Sequence, residues 1–340
     1  MRLTTALAIV TLFTISAVLI LSDVGDLFEP EAAWDGGTGG TPAAMDSSGV
    51  VMVVGDIANC ESAGAWNSIV GMFDGRLAWA GLQEELPSEA QQVADLIGKQ
   101  PGIVLALGDL TYPEGEADDF HGCFARLWVN LLSRTFPVPG NHEYKSDAEG
   151  YQSFWRQRAG PAPGFFYSFD YAGWHLVALN SEIDAGPGSE QALWLDADLS
   201  HHRAGCVLAF DHRPAFSIKK RPDDEDARAL FAVLHRHGAT TLLSGHSHFY
   251  ERTEPLDASG KADPTRGLRQ FIVGTGGHQL DDMSDQATLD QASFTEKLIT
   301  NRWGALRIDL SNNRYNWAFL AAPDGEVLDS GHGVCVARGG

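Results

Sequence analysis

The chain is 340 residues long, which is enough to bury a sizeable hydrophobic core in one large α/β domain or in two ordinary domains. Its 45 acidic residues outnumber its 24 basic residues, and the formal net charge of -21 argues against nucleic acid as the main partner. That charge does not exclude a small phosphorylated substrate, because screening limits exposed charges to about 8–10 Å whereas bound metal ions dominate at contact distance.

The amino-terminal residues 1–22 carry one basic residue, Arg2, ahead of apolar runs, a pattern typical of an export signal. No clear small-residue cleavage site follows, and the stretch approaches the roughly 20 apolar residues that span a bilayer, so an uncleaved membrane anchor is the alternative. Residues 23–48 are predicted to be a flexible linker, since they include the glycine-rich segment 35–42. We predict one catalytic domain, 49–338, in an exported chain that is extracellular, periplasmic or at the cell surface.

Short apolar runs alternate with helical patterns through much of the chain. The runs predicted to form buried strands are 50–54, 103–107, 135–138, 206–210 and 241–243. The patterns predicted to form helices are 87–99, 118–132, 188–200 and 223–237. This alternation favours βαβ units, in which functional loops lie at the carboxyl ends of the strands.

Other segments from residue 165 onward are rich in aromatic and branched residues and are separated by short turns. They are 165–169, 174–180, 270–273, 306–310 and 315–320. Such segments are typical of antiparallel strands. We therefore predict an α/β fold, a two-sheet mixed β sandwich flanked by helices, with the polar motifs described next gathered at one edge.

Four short motifs, each after an apolar run, carry oxygen and nitrogen side chains that can bind metal ions. They are Gly55-Asp56, Gly108-Asp109-Leu110-Thr111-Tyr112, Gly140-Asn141-His142-Glu143 and Gly245-His246-Ser247-His248, and His212 completes the set. A single Gly-Asp pair after a strand often serves only to form a turn. Together the motifs predict a dinuclear metal site, in which Asp109 would bridge two cations about 3.5–4 Å apart. Carboxylates, imidazoles and an amide without a thiolate favour iron, manganese or zinc.

The chain has four cysteines, Cys60, Cys123, Cys206 and Cys335. In an exported chain without a Cys-x-x-Cys pair they favour two disulfides over metal ligation, and free buried thiols are the alternative. Three connectivities are open. We favour Cys60 with Cys123, because each follows one of the first two motif loops and those loops must converge.

Several histidines outside the motifs have a simpler interpretation. His201 and His202 stand near the end of a polar helix and are expected to be solvated, and His175 opens a strand and is expected to be a core histidine. His278 follows a glycine-rich loop that could approach the metal site, but a structural role is the favoured interpretation.

The motif series resembles the five sequence blocks of the calcineurin-like metallophosphoesterases, and more closely those of the purple acid phosphatases. In most of that superfamily the first block is Asp-x-His, whereas this chain has Ala58 at the third position. Purple acid phosphatases supply a tyrosine three residues after the second-block aspartate, and Tyr112 stands there. The segments 210–214 and 245–252 are similar to the remaining blocks, and the resemblance covers roughly residues 50–320.

The resemblance implies a role for each motif residue. One metal ion, ferric in the family, would be held by Asp56, Asp109, Tyr112 and His248. The second, a divalent ion of iron, zinc or manganese, would be held by Asp109, Asn141, His212 and His246. The implied catalytic residues are Asp109 and His142, because His142 is not a ligand and points at the substrate.

By the same resemblance, a hydroxide bound to the metal pair would hydrolyse small phosphate monoesters. A phosphodiesterase or a nucleotide pyrophosphatase on the same centre is the alternative, because the loops 180–188 and 277–295 at the mouth do not discriminate between these activities. A catalytically silent protein that binds phosphorylated ligands is the third hypothesis. A membrane would be contacted only through an uncleaved amino-terminal anchor, and the sequence does not predict the oligomeric state.

Overall fold

The computed structural model describes residues 49–60, 88–202, 205–219, 225–284 and 293–335. The predicted signal or anchor (1–22) and the predicted linker (23–48) lie outside these residues, so the predicted domain boundaries stay predictions. Within the described ranges, no helix is both long and apolar enough to cross a membrane.

The strands and helices are numbered in chain order. The strands are β1 Val50–Val54, β2 Ala58–Asn59, β3 Ile103–Leu107, β4 Thr111–Tyr112, β5 Thr135–Val138, β6 Tyr167–Tyr171, β7 Trp174–Ala178, β8 Val207–Phe210, β9 Thr241–Ser244, β10 Tyr250–Leu256, β11 Leu268–Val273, β12 Thr295–Ile299, β13 Gly304–Ser311, β14 Arg314–Ala321 and β15 Glu326–Val334. The helices are α1 Ser88–Gly98, α2 Ala117–Asp119, α3 Ala125–Trp128, α4 Glu149–Trp155, α5 Glu190–His201 and α6 Glu225–Arg236. A π-helical segment, Phe120–Phe124, joins α2 to α3.

Two mixed sheets dominate the fold, which confirms the predicted sandwich. The strand order is β15-β14-β13-β1-β3-β5 in the first sheet and β12-β10-β11-β9-β8-β7-β6 in the second. β1, β3 and β5 are parallel neighbours in the first sheet. β7, β8, β9 and β11 are parallel neighbours in the second. The loops that follow parallel neighbours lie at the same edge of a sheet, and this places the polar motifs close together.

The largest hydrophobic core lies between the two sheets. Val53 and Leu105 enter it from the first sheet, and Leu208 and Phe271 enter it from the second. Helices α5 and α6 pack against the opposite face of the second sheet, and α1 packs against β13 of the first. Because both faces of the central strands are covered, Val50–Val54 is apolar and buried along its whole length. Each large apolar side chain that is fully buried contributes about 1.5–3 kcal/mol to folding.

Two strands that the sequence predicts to be antiparallel, β7 and β11, each have one parallel neighbour, so the prediction is wrong for that neighbour. The segments 174–180 and 270–273 are predicted to be antiparallel, but β7 pairs with β8 in parallel and β11 pairs with β9 in parallel. Each strand has an antiparallel partner only on its other side. Branched and aromatic residues suit a buried strand in either direction, and the helices that return the chain decide the direction.

The sequence patterns do not predict β10, β12 and β15. β10 contains charged residues that would be costly in a sheet without partners. In the fold, the Arg252 guanidinium pairs with Asp329 of β15 at 2.8 Å, and the Glu251 carboxylate accepts hydrogen bonds from Ser217 and from the backbone of Ile218. These partners are distant in sequence, so local patterns cannot reveal them.

All four cysteines form disulfides, which confirms the preference for disulfides over metal ligation. Cys60 pairs with Cys123 and Cys206 pairs with Cys335, with Cα–Cα distances of 5.8 Å and 5.5 Å. The favoured pairing of Cys60 with Cys123 is therefore also confirmed. The second bond joins the residue before β8 to the residue after β15, so it links the two sheets covalently.

Candidate metal centre

The predicted site residues converge at one edge of the sandwich, in loops that follow strands of both sheets. Asp56 follows β1, Asp109 and Tyr112 follow β3, Asn141 and His142 follow β5, His212 follows β8, and His246 and His248 follow β9. Two backbone hydrogen bonds hold these loops together: Gly55 N–H donates to Val273 O at 2.9 Å, and Gly245 N–H donates to His212 O at 2.9 Å. The first of these bonds crosses from one sheet to the other.

One group of side chains surrounds the hydroxyl of Tyr112. The hydroxyl oxygen lies 3.0 Å from Oδ1 of Asp56, 3.1 Å from Oδ2 of Asp109 and 3.2 Å from Nε2 of His248. Nε2 of His248 is also 3.2 Å from Oδ1 of Asp56. The carbonyl of Gln279 accepts a hydrogen bond from Nδ1 of His248 at 2.8 Å, so the ring presents Nε2 to this group.

A second group surrounds Nε2 of His212. That nitrogen lies 3.4 Å from Oδ2 of Asp109, 3.2 Å from Oδ1 of Asn141 and 3.1 Å from Nδ1 of His246. The carbonyl of Leu107 accepts a hydrogen bond from Nδ1 of His212 at 2.8 Å, which fixes the ring with Nε2 toward the group. Oδ2 of Asp109 belongs to both groups, which is the position a bridging carboxylate needs.

The spacing and burial of these atoms fit metal ions. Two ligands at about 2.0–2.2 Å from one ion, separated by about 90–110°, stand about 2.8–3.6 Å apart. The atoms of the two groups show separations from 3.0 to 3.4 Å. Asp56, Asp109 and His212 are at most 1% exposed, and buried charges in proteins are paired or coordinate metals. The residues present therefore fit a pair of cations.

The neighbours of each group control its protonation. Burial raises the pKa of Asp109, but His212 and His142 outweigh burial and hold that pKa well below its ordinary value. Burial lowers the pKa of His212, but Asp109 outweighs it and raises that pKa to about 10. Burial and the carboxylates of Asp109 and Asp56 raise the pKa of Tyr112 well above its ordinary value. Without a cation the centre holds protons on His212 and Tyr112, and metal ions must displace them.

Glu143 supports the centre from behind. Its carboxylate accepts backbone N–H bonds from Asp109 and Leu110 at 2.9 Å, from Gly140 at 2.8 Å and from Thr111 at 3.3 Å. It thereby joins the loop after β3 to the loop after β5. Burial and the charge of Asp109 raise the pKa of Glu143 to about 8, whereas the N–H bonds favour the carboxylate.

Three residues of the centre adopt left-handed backbone conformations, which are uncommon outside glycine. The φ angle is 59° at Asp56, 48° at Asp109 and 67° at His246. The surrounding loops hold these conformations: Asp56 N–H donates to Gly108 O at 3.1 Å, and His246 N–H donates to Oδ2 of Asp56 at 2.8 Å. Backbone conformations of this kind concentrate at functional sites.

The glycine of the third motif permits the closest approach between loops. A Cβ atom at Gly140 would lie 2.4 Å from Oδ1 of Asp109 and 2.9 Å from Cε1 of His212. Both distances are shorter than nonbonded atoms tolerate. Gly140 therefore leaves the space that Asp109 and His212, two of the predicted ligands, occupy.

His142 lies at the mouth of the centre, next to the shared carboxylate. Its side chain is 21% exposed, and Nε2 lies 3.9 Å from Oδ2 of Asp109. The His142 backbone N–H donates to Oδ1 of Asp109 at 2.8 Å. On the outer side of the ring, Nδ1 lies 2.5 Å from the carbonyl of Pro113 and 3.1 Å from Nζ of Lys145.

Sequence patterns undervalue His278 and miss the contacts of Arg213. The His278 ring stacks on the Tyr112 ring with centroids 3.7 Å apart, so its glycine-rich loop does reach the centre. Nη1 of Arg213 lies 3.4 Å from Nε2 of His246, and its guanidinium pairs with Glu182 at 2.7 Å. The only sequence signals for these contacts are the glycine loop before His278 and the position of Arg213 beside His212.

Comparison with known proteins identifies a family and several relatives to which this chain is similar. Residues 17–250 match the calcineurin-like phosphoesterase family. Purple acid phosphatase 18 of Arabidopsis thaliana is 30% identical over 194 residues, which cover 52% of this chain and 44% of that protein. An acid phosphatase of Aspergillus ficuum is 26% identical over 236 residues, covering 50% of this chain and 38% of that protein. The chain thus spans less than half the length of these curated relatives.

Solved structures show the same fold at low sequence identity. A purple acid phosphatase from yellow lupin (Lupinus luteus) seeds aligns with a TM-score of 0.64 and 19% identity, covering 83% of this chain and 53% of the lupin chain. A dimetal phosphatase from Danio rerio aligns with a TM-score of 0.51 and 14% identity, covering 86% of this chain and 100% of that chain.

The family match extends over most of the chain, and the loops of both ligand groups fall inside it. The chain therefore belongs to the calcineurin-like phosphoesterase family, as a purple acid phosphatase-like member.

Proposed function

We propose that this chain is a phosphomonoesterase of the purple acid phosphatase type, which hydrolyses small phosphorylated substrates at a dinuclear metal centre. One observation carries the proposal. Oδ2 of Asp109 lies 3.1 Å from the hydroxyl of Tyr112 and 3.4 Å from Nε2 of His212, so a single carboxylate oxygen joins the two ligand groups.

Each ligand group has a chemistry suited to a different ion. In the proposal, the ferric ion is held by Asp56, Asp109, Tyr112 and His248, because carboxylates and a phenolate are hard anionic ligands. The divalent ion would be held by Asp109, Asn141, His212 and His246, because imidazoles with an amide oxygen suit zinc, manganese or ferrous iron.

The proposed reaction needs few contributions from the other side chains. Bound cations would polarise a phosphoryl oxygen and make water nucleophilic near neutral pH. Asp109 holds the His142 backbone through Oδ1, so the imidazole stands beside the shared carboxylate. When protonated, this ring would donate from Nε2 to the leaving oxygen of the substrate. Lys145 adds positive charge at the mouth, where a phosphate dianion would enter.

Substrate comparison tests the proposed activity. The full chain loaded with iron and zinc should hydrolyse p-nitrophenyl phosphate faster than its bis ester. Preference for the bis ester would instead assign a phosphodiesterase or a nucleotide pyrophosphatase. Absence of turnover of either ester from about pH 4 to 9, the range in which carboxylates and histidines titrate, would favour a silent binding protein.

A matched pair of variants tests whether the shared carboxylate carries the activity. Asp109→Asn should lower kcat by about 10²–10³-fold or more, because the two ligand groups lose their common anion. Asp118→Asn makes the same chemical change at an exposed position and should retain activity. Equal activities of the two variants would contradict the proposed centre.

We also propose that the chain is exported. Two disulfides support this location, because disulfides persist in oxidising compartments and are rare in the cytosol. Fractionation of cells that produce the full chain, with detection of the oxidised protein outside the cytosol, tests this proposal. A cytosolic protein with reduced thiols would contradict it.

A further inference from the structure

A second cluster of metal-binding side chains lies on the outer part of the seven-stranded sheet. Asp170 of β6 and His175 of β7 are directly paired across the hairpin at the edge of that sheet. Asp198 lies in the last turn of α5, and His202 directly follows that helix, with its backbone N–H donating to Asp198 O at 2.9 Å. We call these four residues the hairpin cluster.

The hairpin cluster is separate from the candidate metal centre. His175 is level with Val207, the first residue of β8, whereas His212 follows the last residue of the same strand. Because β7 and β8 are parallel, the hairpin cluster lies at the opposite end of the sheet from the metal loops. No ligand proposed for the dinuclear centre belongs to it.

The distances within the hairpin cluster have the spacing of ligands on one ion. Oδ1 of Asp170 lies 2.9 Å from Nδ1 of His175 and 3.3 Å from Nε2 of His202. Ligands on one tetrahedral or octahedral ion stand about 2.8–3.6 Å apart. Atoms of these three residues all lie within 4.8 Å of one another.

A further carboxylate orients the buried imidazole of the hairpin cluster. Oδ2 of Asp198 lies 2.8 Å from Nε2 of His175, on the side of the ring away from Asp170, and the hydroxyl of Ser168 donates to the other oxygen of Asp198 at 2.9 Å. His175 is only 3% exposed. Metal-binding histidines commonly have such a carboxylate on the nitrogen that does not bind the metal, because it fixes the tautomer and strengthens the ligand.

The charge and surroundings of the hairpin cluster also suit a divalent cation. A bound cation needs the imidazoles of His175 and His202 in their neutral forms. Two neutral rings with Asp170 and Asp198 carry a net charge of about -2, which one divalent ion would neutralise. A cavity of about 290 Å³ adjoins the cluster and is lined by Asp198, His201 and His202 among others, so a water ligand has space to complete the coordination.

We propose that Asp170, His175 and His202 bind one zinc ion at the edge of the second sheet, with Asp198 as the carboxylate behind His175. Two imidazoles, one carboxylate and a water molecule are a common zinc ligand set. The ion would tie the edge strand β6 to the end of α5, so its role is structural. This site does not depend on the proposed phosphatase activity.

Zinc counting on single variants tests the site. Asp170→Asn alters an exposed side chain and His202→Gln a partly exposed one. Each should lower the zinc bound per folded chain by one, measured by elemental analysis after gel filtration. His201→Gln changes the neighbouring histidine, whose Nδ1 contacts its own helix carbonyl, and should leave the count unchanged. The expected difference of one zinc between the unaltered chain and each of these two variants does not depend on whether the dinuclear centre is occupied. Failure of this proposal can therefore be distinguished from failure of the phosphatase proposal. Equal counts in all four proteins would overturn the site.

A second measurement uses the unaltered chain. Zinc should protect His202 severalfold from modification by diethylpyrocarbonate, quantified by peptide mass spectrometry, because its ligand nitrogen would be occupied. His201 serves as the internal control and should be modified equally with and without zinc. Unchanged modification of His202 would show that zinc does not occupy its ring nitrogen, and would overturn the proposal.

Discussion

Tyr112 is the residue that most separates this centre from the Asp-x-His pattern of the wider superfamily. Ala58 offers no ligand where that pattern has histidine, whereas the Tyr112 hydroxyl contacts Asp56, Asp109 and His248 within 3.2 Å. Burial and two carboxylates keep the phenol protonated until a cation compensates the charge. The side chain can therefore report directly on the metal bound beside it.

Substitution of Tyr112 should change the colour of the protein. Iron-loaded protein should show a visible charge-transfer band from phenolate to ferric iron, and Tyr112→Phe should remove it because the ring then lacks the ligand oxygen. Tyr171→Phe removes a hydroxyl that donates to Val50 O, away from the centre, and should keep the band. An active protein that is colourless and free of iron would contradict the ferric assignment and favour zinc or manganese at both positions.

The pairing of His212 with Asp109 predicts how the centre responds to pH. In the metal-free chain, protonated His212 stabilises the fold fully below its ordinary pKa of 6.5, and this contribution is lost as pH rises through about 10. Metal binding has the opposite dependence, because a cation must displace this proton.

The affinity of the His212 ligand group for zinc should therefore rise by about tenfold per pH unit between about pH 6.5 and 8, because one proton leaves His212 when the ion binds. Competition with a chromophoric chelator measures this affinity. The titration is made in the His202→Gln variant, so that zinc binding at the proposed hairpin cluster does not contribute. An affinity that stays constant over this range would show that His212 is already neutral in the metal-free chain.

The loops of the centre are held by contacts between neighbouring elements as well as by their own turns. Glu143 receives N–H bonds from the loop after β3 and from the loop after β5, so one carboxylate sets the distance between Asp109 and Asn141. The absence of a side chain at Gly140 allows the same two loops to approach. Hydrogen bonds between loops also maintain the left-handed backbone conformations at Asp56, Asp109 and His246.

Replacement of Glu143 should destabilise the protein and weaken its metal centre. In Glu143→Gln an amide group would face N–H donors, and each buried donor left without an acceptor costs about 1–3 kcal/mol. Urea unfolding of the metal-loaded protein measures the loss. Glu149→Gln makes the same change at an exposed position in the first turn of α4 and should alter stability by less than about 0.5 kcal/mol. Equal stability of the two variants would indicate that Glu143 is already protonated.

At the scale of the whole molecule, the centre exists because two sheets pack face to face. The first sheet supplies the loops after β1, β3 and β5, and the second supplies the loops after β8 and β9. The inter-sheet core holds the two sets of loops together. The two disulfides act at different ends of this assembly: Cys60 N–H donates to Tyr112 O beside the centre, whereas Cys206 precedes β8 at the end opposite His212.

Removal of each disulfide should therefore have a different effect. The Cys206→Ser/Cys335→Ser variant should lose about 4–5 kcal/mol of stability, because it frees a closed loop with a sequence separation of 129 residues, yet it should keep its metal content and activity. The Cys60→Ser/Cys123→Ser variant should also lose metal affinity, because the strand that carries Tyr112 loses a support. Denaturant unfolding and metal analysis of both variants test this, and equal metal loss in both would contradict it.

The sequence by itself was enough to predict the two-sheet fold class and the central strands, and to put forward the ligand set as a hypothesis. The reason is that buried strands read as apolar runs and the motifs stand directly after them, as with Asp56 after Val50–Val54. Only the tertiary structure decided the parallel pairing of β7 with β8 and the existence of β10, because these depend on partners distant in the chain. The same holds for the four N–H bonds to Glu143 and for the hairpin cluster, in which a predicted core histidine and a predicted solvated histidine stack on each other. Local patterns record which residues are apolar, whereas contacts between distant segments arise only when the sheets and helices pack.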